Sequence, residues 1–226
     1  MSDRINAAMI FAAGFGTRMG ELTRSTPKPM LPLGGRPLID HAIDLVRDAG
    51  ITRIVANTHY LADRIEPHLA QNDVIPLRET PEILETGGGL KAALPHLGAD
   101  PVVTLNPDAA WTGPNPIATL LRAWKPEMAA LLLVMPIEKA LTNRNIGDFS
   151  LEDGELRRQG AYLYTGAQII RTDRLTEIAE DSFSLNLYWD LLSKSGPIHG
   201  VVHRGGWCDI GHPEGLAAAE SMAKNV

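Results

Sequence analysis

The sequence predicts an α/β protein in three layers, a mixed, mostly parallel sheet with helices on both faces. Two observations carry this. Short apolar runs alternate with longer segments of helical period four times over residues 7–105, the order expected of a βαβ chain. The first apolar run also opens into a loop rich in Gly, Thr and Pro, and in open α/β sheets ligands bind at the carboxyl ends of the strands.

In chain order, residues 7–12 read as a buried strand and residues 14–37 as the loop that follows. Over 38–49, the apolar residues Leu38, Ile39, Ala42, Leu45, Val46 and Ala49 recur at helical spacing, with Pro37 opening the helix and Gly50 closing it. A second strand is expected at 51–57, a helix at 60–70, a strand at 74–79, a short helix at 88–94 and a fourth strand at 101–105. Beyond the apolar run 128–135 the pattern loosens, with strands expected near 149–151 and 161–170 and helices near 173–179 and 185–193. A late strand at 198–203 and a terminal helix at 213–224 complete the chain. No internal repeat or linker is visible, so residues 1–226 read as one domain with halves of about 1–110 and 111–226.

Composition narrows the function. With 44% hydrophobic and 21% charged residues, the chain is globular and not disordered. Its 21 Lys and Arg against 27 Asp and Glu leave a net charge of −6, which argues against an obligate nucleic-acid partner. The 128–135 run is too short to span a bilayer, so no membrane partner is expected. The lone Cys208 and the absence of a leader pattern at residues 1–6 fit a reducing, cytoplasmic setting.

The first strand runs into Ala12-Ala13-Gly14-Phe15-Gly16-Thr17-Arg18. Two glycines let the main chain turn tightly, and consecutive free N–H groups make a concavity suited to phosphate. Arg18, and Lys28 between Pro27 and Pro29, add positive charge to the same loop. A dinucleotide fingerprint needs a third glycine where Met19 stands, and there is no P-loop lysine motif, so a dehydrogenase or P-loop kinase is excluded. The seven His residues form no ligand pattern for zinc. Cys208, without a basic partner, suits packing better than nucleophilic chemistry.

The glycine loop and Pro27-Lys28-Pro29, with Leu84-Glu85-Thr86-Gly87-Gly88-Gly89, Asn106-x-Asp108, Gly147-Asp148-Phe149, Thr165-Gly166 and Trp207-x-Asp209-x-Gly211, run the length of the chain. Together they resemble the signature of the sugar-1-phosphate nucleotidyltransferases. The resemblance implies the nucleotide-diphospho-sugar transferase fold and magnesium-dependent transfer of a nucleotidyl group from an NTP to a sugar 1-phosphate. The short chain, with its L-E-T-G-G-G and late W-x-D-x-G, looks most like the uridylyltransferase branch of bacterial cell-wall recycling, which implies UTP and N-acetylmuramate 1-phosphate. A guanylyl-, cytidylyl- or thymidylyltransferase, or a non-catalytic sugar-nucleotide sensor, is the alternative.

By the same resemblance Asp108 and Asp209 hold magnesium, and Arg18 and Lys28 share with them the catalytic role. The nucleotide would meet Ala12, Ala13, Gly14, Phe15, Gly16, Thr17, Arg18, Lys28, Asn57, Leu84, Glu85, Thr86, Gly87, Gly88 and Asn106. The sugar phosphate would meet Gly147, Asp148, Thr165, Gly166, Asn186 and Trp189, although an aromatic at helical spacing with Leu185 and Leu192 suits a core equally well. Pro107 stands where the family commonly has Gly. Proline fixes φ near about −65°, so a backbone needing positive φ there would aim Asp108 elsewhere.

Overall fold

The structure is a computed structural model that describes residues 5–224. β1 (Ala7–Phe11) leads into the long loop, which contains 3₁₀ turns at Thr17–Thr23 and Lys28–Met30 and a small ladder of β2 (Pro32–Leu33) with β3 (Arg36–Pro37). There follow α1 (Leu38–Asp48), β4 (Arg53–Thr58), α2 (Ala62–Gln71), β5 (Ile75–Arg78), α3 (Glu85–Leu97) and β6 (Val102–Leu105). The second half runs through β7 (Ala109–Trp111), α4 (Pro116–Ala123), β8 (Ala130–Pro136), β9 (Gly147–Glu152), β10 (Glu155–Gly160) and β11 (Tyr162–Ile170). It ends with α5 (Leu185–Leu192), β12 (Ile198–Val202), β13 (Trp207–Asp209) and α6 (Pro213–Lys224).

Among the described residues the main sheet has nine strands in the order β5-β4-β1-β6-β11-β8-β12-β10-β9. β5, β4, β1 and β6 pair in parallel. Beyond β6 the sheet is mixed: β11 is antiparallel to β6 and β8, β12 is parallel to β8, and β10 is antiparallel to β12 and β9. The change follows from the connections. Helices link the parallel strands, whereas β9 and β10 are joined by Asp153-Gly154, both at positive φ (51° and 84°), a tight turn that returns the chain antiparallel.

Alternating strand residues feed two cores. Ala8 and Ile10 of β1 pack with Ile39, Ile43 and Val46 of α1, Ile65 and Leu69 of α2, and Ile117 and Leu120 of α4. Ala7 and Met9 face the other way, toward Leu90 and Leu97 of α3 and Leu185, Tyr188 and Trp189 of α5. The three layers are therefore helix, sheet, helix. A smaller cluster of Met19, Leu31, Leu33, Ala110, Cys208 and Ala219 sits beneath the glycine loop. Burial there pushes the Cys208 thiol up to about 11, so it packs and does not react.

Two helices differ from expectation. α3 begins at Glu85 and not at residue 88, and its three glycines lie inside it. Each glycine costs about 1 kcal/mol against alanine, but burying Leu90 and Leu97 completely returns roughly 1.5–3 kcal/mol apiece. A helix at 173–179 is replaced by a single 3₁₀ turn, Leu175–Glu177. The carbonyls of Ile178 and Glu180 accept from Lys91 Nζ at 2.8 and 3.1 Å, which ties this chain to α3 in place of an internal helical ladder.

Candidate active site

Asp108 and Asp209, far apart in sequence, are brought together by the short ladder of β7 with β13. Ala109 pairs with Asp209, and Ile210 N donates to Asp108 O at 2.9 Å. Asp108 lies just past β6, directly before β7, at the carboxyl edge of the parallel strands. Its carboxylate forms an ion pair with Lys28 Nζ, whose side chain is nearly buried. The Pro107 ring thus leaves the Asp108 carboxylate facing Lys28.

Among the described residues no donor bonds the Asp209 carboxylate. Burial and the neighbouring Asp108 charge hold its carboxyl above the usual range, against the opposing charges of Lys28, Arg18 and Arg144. Two carboxylates at one edge, one of them without a hydrogen-bond donor among the described residues, are a donor set that fits a hard divalent cation sharing its remaining positions with phosphate oxygens and water.

Two cavities flank this pair. The first, about 350 Å³, is lined by the predicted Ala12, Gly14, Phe15, Gly16, Thr17, Arg18 and Lys28 together with Phe11, Ile83 and Pro107. Gly16 makes the loop possible: its φ is +65°, and a Cβ there would sit 2.9 Å from Lys28 Cβ. Thr23 Oγ1 fixes the turn by donating to Gly16 O at 3.0 Å.

The second cavity, about 300 Å³, contains the predicted Asp148, Thr165, Gly166, Asn186 and Trp189, as well as Asp209. Arg18 and Asp108 line both cavities, so the two meet at the carboxylate pair. Trp189 serves both the core and the cavity: it is 6% exposed, and its Nε1 donates to Gln168 Oε1 at 2.9 Å. Gln168 Nε2 in turn donates to Thr104 Oγ1 at 3.0 Å, which continues a fully buried polar chain under the cavity floor. Asp148 is not free to accept from a ligand alone. It takes Tyr164 N at 2.9 Å and is clamped by both terminal nitrogens of Arg144.

Other expected residues take different places. Thr86 and Asn106 line the second cavity and not the first. Asn57, 3% exposed, accepts from Ala12 N at 2.8 Å and donates to Glu79 Oε1 at 2.7 Å, so it braces the loop from behind and reaches neither cavity. Leu84 N is held by Glu79 Oε2, while Gly87 N and Gly88 N both donate to Phe183 O. The two glycine amides are therefore spent on packing α3 against the 181–183 segment, where a Gly88 Cβ would overlap the Asp181 carbonyl oxygen. Glu85 is exposed at the start of α3, Ala13 is buried behind the loop, and Gly147 admits close packing by Gly160 and Tyr162. Sequence reasoning missed Arg144 and Arg158, both on the second cavity. Neither belongs to a motif, and arginine is common on any surface.

Among the described residues no helix is long and apolar enough to cross a membrane, and no cluster of three or more His, Cys, Asp or Glu forms a metal site.

Comparison with known proteins shows the family. A MobA-like NTP transferase domain matches residues 8–143. The chain is 34% identical to an N-acetylmuramate alpha-1-phosphate uridylyltransferase from Caulobacter vibrioides, covering 98% of both chains, and 32% identical to one from Neisseria meningitidis serogroup B, covering 96% of this chain and 97% of that one. Among solved structures, the inositol-1-phosphate CTP transferase from T. maritima superposes with a TM-score of 0.81 at 16% identity, over 97% of this chain and 96% of that one. The chain belongs to the MobA-like NTP transferase domain family, among the sugar-1-phosphate nucleotidyltransferases.

Proposed function

We propose that this chain transfers a uridylyl group from UTP to N-acetylmuramate 1-phosphate, releasing pyrophosphate, with magnesium held by Asp108 and Asp209. The observation that carries the reading is the meeting of two cavities of similar size at Asp108 and Arg18. A triphosphate laid along the glycine loop brings its α-phosphorus to that junction, and a sugar phosphate in the second cavity presents its oxygen from the other side. Holding the reactants in line supplies about 7–11 kcal/mol of the barrier in favourable cases.

The chain's own residues then have distinct tasks. Main-chain N–H groups of residues 14–18 and the Arg18 guanidinium receive the leaving pyrophosphate. Lys28, restrained between two prolines and already beside Asp108, neutralises charge at the reacting phosphate, and Arg144 meets the phosphate of the sugar. Magnesium, when bound, supplies a further positive charge and orients phosphate oxygens. The choice of uracil and of N-acetylmuramate is supported by the two relatives that align along nearly their whole length. The alignment extends from the glycine loop through both carboxylates, so it spans both substrates' sides of the junction.

A panel of UTP, GTP, CTP, dTTP and ATP against N-acetylmuramate 1-phosphate, read by pyrophosphate release with magnesium present, tests this reading. UTP is expected to exceed the others by at least ~10-fold in kcat/KM, the size of one differential hydrogen bond. A different preferred nucleotide would overturn the assignment of the base.

A further inference from the structure

The second cavity carries a cation that the transfer reaction does not use. Of its arginines, Arg18 and Arg144 are those whose charge bears on Asp209, at the reacting end. Arg158 is elsewhere. It projects from β10, and its guanidinium lies 5.2 Å from the Phe149 ring centroid and 5.4 Å from that of Trp189. Its Nη1 donates to Asn186 Oδ1 at 2.7 Å, and its Nη2 to Asp190 Oδ1 at 2.9 Å. Asn186 and Trp189 line the cavity with it.

A sugar 1-phosphate of a neutral sugar brings one anionic group, and that group belongs at the junction. A guanidinium at the α5 end of the same cavity finds an anionic substrate partner only if the sugar itself is acidic. Resting on the function proposed above, we propose that Arg158 is a specificity residue that binds the carboxylate of the sugar, the lactyl carboxylate of N-acetylmuramate 1-phosphate. The two rings hold the guanidinium plane, and arginine's fork matches a carboxylate through two N–H donors. Asp190 is a weak competitor. The side chains of the Arg158–Asp190 pair are 43% and 63% exposed, and such surface pairs contribute little. A substrate carboxylate held between the rings and Asn186 replaces it. This would let the enzyme distinguish N-acetylmuramate 1-phosphate from N-acetylglucosamine 1-phosphate, which lacks the lactyl group.

The test is the ratio of kcat/KM for these two sugars with UTP, in the wild-type chain and in Arg158→Gln, Arg158→Lys and Asp190→Asn. A wild-type chain without preference for the acidic sugar overturns the substrate reading, and this proposal with it. Given that preference, Arg158→Gln should lower the ratio by roughly 10- to 100-fold through KM, the size of a lost charge-assisted contact. Arg158→Lys, which covers the case of a Gln variant that does not fold, should lower it by less, because charge survives without the fork. Asp190→Asn should keep or raise the ratio, since it removes the competitor. An unchanged ratio in the Arg158 variants overturns the proposal. So does an Asp190→Asn variant that loses as much preference as Arg158→Gln, because Arg158 would then only be tying β10 to α5.

Discussion

Gly14 and Gly16 sit two residues apart in one loop, yet physics asks different things of them. Gly16 holds φ at +65° with a would-be Cβ 2.9 Å from that of Lys28, whereas a Cβ on Gly14 meets nothing within 4 Å. The open space beside Gly14 belongs to the first cavity. Gly16→Ala is therefore expected to destabilise the fold by about 1–2 kcal/mol, the cost of a left-handed conformation for a residue with a Cβ, and to displace Lys28. Gly14→Ala should leave the urea midpoint near that of the wild type and raise KM for the nucleotide, because its methyl group projects where phosphate would lie. Equilibrium unfolding and nucleotide KM, measured on both variants, check the contrast. Equal loss of stability in the two would mean that the loop is only a turn.

At the scale of elements, the second cavity depends on how α5 is seated. Ser184 caps the helix by accepting from Asn186 N at 3.2 Å, and Leu185 N donates to Thr86 Oγ1 at 3.0 Å, joining α5 to α3. Beneath it, Gln168 links the Trp189 indole to Thr104. Gln168→Leu leaves the buried Trp189 Nε1–H without an acceptor and removes one of the contacts of Thr104, which keeps Tyr164, so a loss of roughly 1–3 kcal/mol is expected. KM for the sugar phosphate should rise while KM for UTP stays nearly constant. Thermal unfolding with paired KM measurements decides it, and an equal rise in both KM values would separate the polar chain from the cavity floor.

The same elements show what a reader of the sequence can and cannot see. α1 was legible because its buried face repeats at helical spacing between Pro37 and Gly50. β10 was not, because ELRRQG buries only Leu156 and shows no strand alternation. The Asp153-Gly154 pair before it is a strong hairpin signal that periodicity alone overlooks. Three glycines put the expected start of α3 at residue 88, since nothing local reveals that Phe183 and Asp181 pass against them. The three-residue strands β7 and β13 are too short to have a period at all, and they are what brings the two carboxylates together.

For the whole molecule, the glycine loop and the carboxylate pair could be read from motifs, because close approach of a main chain and a charge at a strand end restrict residue choice. Arg144 and Arg158 could not. Arg158 depends on the pairing of β10 with β9 and on the packing of α5, and Arg144 on the loop that Leu141 ties to Cys208, all long-range facts. The same long-range assembly places Asp209 where its charge is costly. Burial and Asp108 raise its carboxyl above the ordinary range. A raised carboxyl contributes stability that is present below the unfolded pKa and is lost as pH rises through the folded one. At neutral pH without metal, the Asp209 charge therefore opposes folding.

The most direct measurement is magnesium-dependent pyrophosphate release by wild type and Asp209→Asn, with the metal-free melting temperature of each recorded at neutral pH. The account predicts that Asp209→Asn loses turnover by at least ~100-fold, the usual size for a lost transition-state charge partner, while melting no lower than the wild type. Turnover retained in the variant would contradict it, and so would a variant that melts well below the wild type, since Asp209 would then be holding the fold and not the reactants.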